Sequence, residues 1–225
     1  MAAQAALFDV DGTLVDSVDL HARAWQEAFA HFGKRVPFDE VRAQIGKGGD
    51  QLIPVFLSED EVARVGEELD HYRSQLYQRE YLKRVRPFPQ VRSLFEEVLR
   101  RGIRIALATS SKGEELETYK KMLEIEDLVH GETSASQTRH SKPEPDIFRS
   151  ALAQLGKDID LRRTIAIGDT PWDAIAAHRL GVRTIGVLCG GFAEADLRKA
   201  GCIAIYRDPA HLLARIDESP LVTIE

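Results

Sequence analysis

From residue 86 to the end of the chain, short apolar runs alternate with segments of helical periodicity, and this alternation limits the folds available. A further apolar run lies near the N terminus. These runs predict strands at Ala5–Phe8, Ile103–Ala108, Leu128–Gly131, Thr164–Ile167, Arg183–Leu188 and Ile203–Tyr206. Strands that alternate with helices form βαβ units, in which the strands are parallel and the helices cover both faces of the sheet. We therefore predict the α/β class, with a doubly wound, Rossmann-like parallel sheet.

The segment between the first two strands is different, because it has helical patterns and no convincing strand. A stripe of apolar residues at helical spacing runs from Val18 to Phe32, which is typical of an amphipathic helix. A helix that contains Pro54 is possible only if this proline lies in the first turn. We predict an α/β core formed by residues 1–15 and 86–225, and an inserted, all-helical cap formed by residues 16–85.

Polar residues follow several of the predicted strands at the point where each strand ends. They are Asp9, Asp11, Thr109, Ser110 and Asp169, with Asp173 four residues further on and Lys142 in a loop before a helix. Because the carboxyl ends of parallel strands share one edge of the sheet, these side chains can converge. Clustered carboxylates repel each other unless a cation intervenes, and an oxygen-rich site suits Mg²⁺. A lysine and a hydroxyl beside the metal suit an anion, which indicates phosphoryl transfer to a carboxylate nucleophile.

Each of these residues also has an interpretation that needs no ligand. The Asp11-Gly12 pair is common in turns, Thr109 can cap a helix, and Asp173 can face the N-terminus of a helix. Lys142 can be a solvated loop lysine. Asp169 favours a bound group most strongly, because strands disfavour aspartate unless something binds it.

The polar segments occur in the order and strand context of a known family. They are Asp9-Val10-Asp11-Gly12-Thr13, then Thr109, then Lys142 in Lys-Pro-Glu-Pro-Asp-Ile-Phe, then Gly168-Asp169-Thr170-Pro171-Trp172-Asp173. The chain resembles a hydrolase of the haloacid dehalogenase superfamily, in its phosphatase branch with a helical cap. The resemblance covers essentially the whole chain and is to the phosphoglycolate phosphatases and β-phosphoglucomutases.

The resemblance implies a part for each residue of the core. Asp9 attacks phosphorus and forms an aspartyl-phosphate, and Asp11 protonates the leaving alkoxide and then helps to activate water. The expected contacts of the phosphoryl group and substrate are Thr109, Lys142, Gly12, Thr13 and Ser110. Mg²⁺ is the implied cofactor, and its expected residues are Asp9, Asp11 through its backbone carbonyl, Asp169, and Asp173 directly or through a water.

Two features of the cap are expected to read the substrate. His21 and Trp25 lie one turn apart on a helix and are similar to a pair in the β-phosphoglucomutases, where the histidine assists acid–base timing. The loop Gly46-Lys47-Gly48-Gly49 resembles the family's substrate-reading loop, in which Lys47 can meet a second anionic group. The alternatives are a helix histidine without a ligand, a tryptophan of the core and a plain helix connection.

Composition limits the partners and the compartment. The formal net charge of the 225-residue chain is −6, which argues against general nucleic-acid binding. We expect no membrane partner, because we find neither a secretory leader nor an apolar run of spanning length. Cys189 and Cys202 lack metal-type or redox-type spacing, which favours reduced thiols in a cytoplasmic protein. We expect a monomer or a weak homodimer.

The predicted function is Mg²⁺-dependent hydrolysis of a small phosphorylated metabolite, of the sugar phosphate or phosphoglycolate type, through an aspartyl-phosphate. Asp11 favours a phosphate ester over a haloacid, because a leaving alkoxide needs a proton and a halide does not. Two alternatives stay open. One is a phosphomutase of the β-phosphoglucomutase type, suggested by His21 and Trp25, and the other is an inactive member that only binds a phosphorylated ligand.

Overall fold

A six-stranded parallel sheet forms the centre of the computed structural model, which describes residues 2–134 and 138–223. Its strands are β1 (Ala5–Phe8), β4 (Arg104–Ala108), β5 (Gly131–Thr133), β6 (Thr164–Gly168), β7 (Arg183–Val187) and β8 (Cys202–Tyr206). Their order in the sheet is β5-β4-β1-β6-β7-β8. The order reverses at β1, since the chain adds β4 and β5 on one side of it and β6 to β8 on the other. Open α/β sheets bind ligands beyond the carboxyl ends of their strands at such a reversal.

Ten α-helices connect or extend the strands in the described part of the chain. The insertion carries α1 (Val18–His31), α2 (Phe38–Arg42), α3 (Gly49–Phe56) and α4 (Glu59–Leu76), and the rest are α5 (Val91–Arg100), α6 (Gly113–Leu123), α7 (Asp146–Gln154), α8 (Pro171–Leu180), α9 (Glu194–Lys199) and α10 (Pro209–Ala214). No described helix combines the length and the apolar character needed to cross a lipid bilayer.

The two faces of the sheet bury different sets of side chains, because successive strand residues point to opposite faces. Phe8 and its neighbours on β4 and β6 pack against α5 and α6, and the rings of Phe8 and Phe95 lie 4.7 Å apart. Leu7 and the alanines beside it pack against α7 and α8 on the opposite face. The predicted α/β class with a doubly wound parallel sheet is confirmed.

A short antiparallel ribbon joins the helical insertion to the sheet. Its strands are β2 (Val15–Asp16) and β3 (Arg86–Pro87), which pair with Val15 opposite Pro87. The insertion between them has an apolar cluster of its own around Trp25, Phe29 and Leu52. The sequence did not predict the ribbon, and the division of the chain into a core and a cap of residues 16–85 stays a prediction.

Two local predictions were wrong. The strand expected at Leu128–Gly131 lies at Gly131–Thr133 instead, because Leu128 belongs to a turn in which its N–H donates to Ile125. The apolar residue Leu128 is therefore buried in a turn and not in a strand. Pro54 lies in the second turn of α3 rather than in its first. The missing N–H of Pro54 removes one helical hydrogen bond, the one to the carbonyl of Asp50, and α3 ends two residues later.

Candidate active site

The ammonium group of Lys142 lies between two carboxylates at the carboxyl edge of the sheet. Its Nζ atom donates to Asp9 and lies 2.7 Å from Asp173 Oδ1. All three side chains are buried. Asp9 extends from the end of β1, and the N–H of Asp9 still donates to Ile167 of the neighbouring strand. The sheet register therefore fixes the carboxylate that the lysine contacts.

Asp9, Asp169 and Asp173 form a buried acidic cluster. One oxygen from each side chain can be chosen so that all three lie within 4.8 Å of one another. Thr13 ties two members of the cluster together, because its hydroxyl lies 3.1 Å from Asp9 Oδ2 and 3.0 Å from Asp169 Oδ1. Three buried carboxylates beside one lysine leave a net negative charge. Such an all-oxygen donor set suits a hard divalent cation.

The surroundings of Asp169 fit a bound cation. Its Oδ2 atom is buried and has no hydrogen-bond partner. Two glycines, Gly12 and Gly190, approach this oxygen so closely that a Cβ atom on either would overlap with it. Gly12 also adopts a left-handed conformation with φ of 81°, which favours glycine. An unpaired buried oxygen in a cradle of glycines is the arrangement that a small metal ion would complete.

Burial and the charges of the cluster shift the pKa values of Asp9, Asp169 and Lys142. Burial, helped by the repulsion of Asp173 and Asp11, raises the pKa of Asp9 to about 7 against the opposing effect of Lys142. Burial and the charges of Asp9 and Asp173 raise the pKa of Asp169 well above its usual range. Burial acts to lower the pKa of Lys142, but the two adjacent carboxylates raise it overall. Lys142 therefore stays charged, while Asp9 and Asp169 bind protons more readily than ordinary aspartates when no other cation is present.

Asp11 has a separate set of partners on the cap side of Asp9. One oxygen lies 2.7 Å from the Ser17 hydroxyl and 2.9 Å from His21 Nε2. The other accepts from Ser111 at 2.5 Å and from Thr109 at 3.3 Å. Burial acts to raise the pKa of Asp11, but the adjacent His21 and these hydrogen bonds lower it below its ordinary value. The structure thus gives the two aspartates of the first motif opposite protonation tendencies.

The predicted substrate residues lie around this pair, and some of them also serve other contacts. Thr109 Oγ1 donates to Asp11 and accepts the N–H of Ser111 at 3.0 Å, so it does not cap α6. The Ser110 hydroxyl donates to the carbonyl of Gly46 at 3.0 Å. Asp173 Oδ2 accepts from the backbone and hydroxyl of Thr170 and closes a capping box. Helix capping and the acidic cluster therefore share one carboxylate.

The predicted cap loop closes over the edge of the sheet. Lys47 Nζ donates to Gln44 at 2.6 Å and lies 4.0 Å from the centre of the Trp172 ring. The N–H of Gly48 donates to the Ser141 hydroxyl at 2.8 Å, next to Lys142. Another cap residue, Arg42, donates to the carbonyl of Gly190 at 2.9 Å. Together with the contacts of Ser17 and His21 with Asp11, the insertion thus contacts all four core segments that carry the candidate site.

A small cavity lies between the insertion and the sheet edge. About 30 Å³ of it is open to the centre of a water molecule, which is space for two or three waters. Its walls include Asp9, Asp11, His21, Trp25, Lys47 and Arg73. Asp9 and Asp11 thus line this cavity together with residues of the insertion, and both aspartates are buried.

Sequence reasoning missed several residues of the site. Ser17 is the N-cap residue of α1, but its hydroxyl donates to Asp11 and makes no cap hydrogen bond. Arg73 is buried beside the cavity over the Trp25 ring, and its Nη1 atom lies 3.9 Å from the buried Glu115. Both Glu115 oxygens and Arg73 Nε lack hydrogen-bond partners in the described structure. A serine at a helix start could have been noticed, but no sequence signal joins Arg73 to Glu115.

Comparison with known proteins identifies the family. Residues 6–187 match the model of the haloacid dehalogenase-like hydrolases, which is well over half of the chain. The chain belongs to this family. A hydrolase from Pseudomonas syringae of known crystal structure is 27% identical, with a TM-score of 0.88 over 96% of this chain and 98% of its own. The family resemblance inferred from the four motifs is thereby confirmed.

Relatives of this haloacid dehalogenase-like hydrolase include enzymes named as phosphatases. A phosphoglycolate phosphatase of Yersinia pestis is 30% identical over 86% of this chain and 85% of its own length. A phosphorylated carbohydrates phosphatase of Thermotoga maritima is 24% identical over 96% of this chain and 99% of its own. The chain is an enzyme, and its class is that of the phosphatases of this hydrolase family.

Proposed function

We propose that this hydrolase cleaves a small phosphorylated metabolite, of the sugar phosphate or phosphoglycolate type, through an aspartyl-phosphate on Asp9. The observation that carries the proposal is the difference between the surroundings of Asp9 and those of Asp11. Asp9 faces Lys142 and the acidic cluster, whereas Asp11 faces hydroxyl groups and His21. A nucleophile and a proton donor need these different surroundings.

Asp9 acts as the nucleophile in this proposal. Its carboxylate oxygen attacks phosphorus, the bond to the ester oxygen breaks, and Lys142 stays beside the carboxylate and the incoming negative charge. Thr109 and the N–H groups that follow β1 and β4 orient the phosphoryl oxygens. Fixed positioning and charge neutralisation of this kind provide most of the rate enhancement in phosphoryl transfer.

Asp11 transfers the protons. Its ionised form, which its neighbours favour, accepts a proton from the water that hydrolyses the aspartyl-phosphate. Donation to a leaving alkoxide needs the protonated form, and His21, 2.9 Å away, is the adjacent group that can share that proton. Closure of the insertion brings His21 into place, so that proton transfer follows substrate capture.

Mg²⁺ is the proposed cofactor, and Asp9, Asp169 and Asp173 would hold it together with the backbone carbonyl of Asp11. The unpaired Asp169 oxygen and the glycines around it support this proposal. When bound, the ion supplies positive charge that offsets the carboxylates and the phosphoryl oxygens. The partner is a small phosphorylated metabolite, bound by a cytoplasmic monomer or weak homodimer.

A phosphomutase of the β-phosphoglucomutase type is the second candidate, and the contact between His21 and Asp11 favours it. A mutase returns the phosphoryl group to a second hydroxyl of the sugar, whereas a phosphatase gives it to water. The small cavity beside Asp9 is compatible with both, because both require water to be controlled at this carboxylate. An inactive binding member is disfavoured by the intact set of Asp9, Asp11, Lys142 and Asp169.

A panel of phosphorylated metabolites tests these candidates when released phosphate and the organic product are measured together. The proposed phosphatase releases one phosphate per substrate consumed, in the presence of Mg²⁺ and not of EDTA. An isomerised sugar phosphate without matching phosphate release would instead establish the mutase. Stabilisation of the fold by a phosphorylated ligand with no turnover of any compound would establish the binding member and contradict both enzymes.

A further inference from the structure

His21 has two buried neighbours. Its Nε2 atom faces Asp11, and one face of its imidazole packs on an aromatic ring that the proposed chemistry does not use. The ring of Tyr77 stacks on the imidazole with 3.8 Å between the ring centres and 6° between the planes. The Tyr77 side chain is fully buried. Because a histidine on a helix can rotate about two side-chain bonds, a parallel ring at this distance restricts the plane in which Nε2 can face Asp11.

Tyr77 is itself anchored to the core. Its hydroxyl lies 2.7 Å from the hydroxyl of Tyr119 on α6, and both oxygens are buried. Burial, together with the charges of Asp11 and Glu115, raises the pKa values of both hydroxyls above their ordinary value. The contacts therefore form a line from the core, through Tyr119 and Tyr77, to His21 and finally to Asp11.

His21 and Tyr77 lie near opposite ends of the insertion in the sequence. His21 follows the ribbon strand β2, and Tyr77 precedes the ribbon strand β3, so the stack joins the two crossings between insertion and sheet. Tyr77 also begins a π-helical turn, Tyr77–Tyr81, that extends α4. Single π-helical turns are rare and occur frequently at functional sites.

We propose that Tyr77 is a positioning residue: its ring, anchored through its hydroxyl to Tyr119, fixes the plane of the His21 imidazole and thereby the hydrogen bond from His21 to Asp11. The inference rests on the proposed function, since it concerns the proton that Asp11 gives to the leaving group. It assigns to the end of the insertion a direct effect on proton transfer, in addition to its effect on substrate entry.

Leaving groups of different basicity separate this effect from a merely structural one. An alkyl phosphate needs a proton on its leaving oxygen, whereas p-nitrophenolate leaves without one. Tyr77→Leu is expected to lower kcat/KM for a sugar phosphate about tenfold or more, and for p-nitrophenyl phosphate about threefold or less. Tyr77→Met takes its place if the leucine variant fails to fold.

Two further tyrosines provide matched controls. Tyr77→Phe keeps the stacked ring and is expected to retain most of the wild-type ratio of kcat/KM for the sugar phosphate to that for p-nitrophenyl phosphate. Tyr119→Phe is expected to give the same ratio, because both variants remove the same hydrogen bond. Tyr81 lies in the same π-helical turn, with its ring centre 6.3 Å from that of Tyr77, but its hydroxyl donates to Glu27 and not to Tyr119. Tyr81→Leu is therefore expected to lower kcat/KM for the two esters by the same factor.

An equal loss of kcat/KM for both esters in Tyr77→Leu, or no loss for either, would overturn the inference. A selective loss in Tyr81→Leu as large as that in Tyr77→Leu would also overturn it, since the effect would then belong to the helix turn. If the wild-type protein hydrolyses neither ester, the proposed function itself is contradicted and this inference is overturned with it.

Discussion

Lys142 Nζ lies 2.7 Å from Asp173 Oδ1, although Lys142 lies in the turn before α7 and Asp173 in the first turn of α8. The same ammonium group donates to Asp9, so one buried cation holds two of the three clustered carboxylates. Because this ammonium group also contacts the proposed nucleophile, loss of Lys142 is expected to affect both the stability of the protein and its turnover.

Replacement of Lys142 by Met is expected to reduce phosphatase turnover at least about a hundredfold, as the loss of one charge-stabilising group typically does. It is also expected to cost about 3–5 kcal/mol of unfolding free energy in EDTA, because two buried carboxylates lose their cation. Urea unfolding with and without Mg²⁺ measures the second effect. The exposed Lys157→Met is the control, and equal stability of the two variants would contradict the prediction.

Addition of Mg²⁺ to EDTA-treated protein is expected to raise its melting temperature. At a concentration a hundred times the Kd, a ligand that binds only the folded state adds about 2.7 kcal/mol. Asp169→Asn is expected to remove most of this shift, because the unpaired Asp169 oxygen is the one that the cation would complete. Sodium chloride of matched ionic strength controls for screening, and an equal shift with either salt would disprove a specific site.

The pH dependence of stability is expected to reverse in sign when Mg²⁺ is removed. The pKa of Asp9 in the folded protein, about 7, lies above its ordinary value of 3.8. The metal-free folded state therefore binds this proton more tightly than the unfolded state does. Its contribution to stability is complete below pH 3.8 and is lost as the pH rises through 7.

Bound Mg²⁺ requires ionised carboxylates, so its stabilising effect is expected to grow over the same pH range. Thermal unfolding between pH 5 and pH 8.5, with EDTA or with Mg²⁺, measures both slopes. In EDTA, Asp9→Asn is expected to flatten the decline. A metal-free protein that gains stability between pH 5 and pH 8.5 through this group would contradict the assignment.

Gly190→Ala is expected to disrupt the acidic cluster although it replaces no charged residue. The added methyl group would overlap with the side chain of Asp169 and would displace it. Overpacking of this kind costs about 1–3 kcal/mol, and the Mg²⁺-dependent shift in melting temperature is expected to disappear with it. Gly113→Ala is the matched control, because the nearest atom to its added carbon is 3.8 Å away. Unaltered Mg²⁺ binding by Gly190→Ala would refute the proposed position of the ion.

The sequence allowed prediction of the sheet and of the residues at its carboxyl edge. This succeeded because strand ends carry residues such as Asp9 and Asp169 that strands otherwise disfavour, and because a parallel sheet brings strand ends together whatever lies between them. The structure places the predicted side chains side by side. The chemical part of each residue, and the metal that they would hold, stay predictions.

The parts that sequence could not give depend on contacts between distant segments. Arg73 and Glu115 look like ordinary charged residues of two helices, and only tertiary packing buries them 3.9 Å apart. Tyr77 fits the pattern of an apolar helix residue, which conceals its stack on His21. The turn at Leu128, where a strand was predicted, was missed for another reason, because burial alone does not distinguish a turn from a strand.

The central claim is that Asp9 carries the phosphoryl group during turnover. It is tested most directly by acid quenching of the enzyme during turnover of a good ester substrate with Mg²⁺, followed by mass spectrometry of the peptide that contains Asp9. We predict one added phosphoryl group on Asp9, more of it in Asp11→Asn, and neither label nor turnover in Asp9→Asn. A label on another residue, or turnover that persists in Asp9→Asn, would contradict the claim.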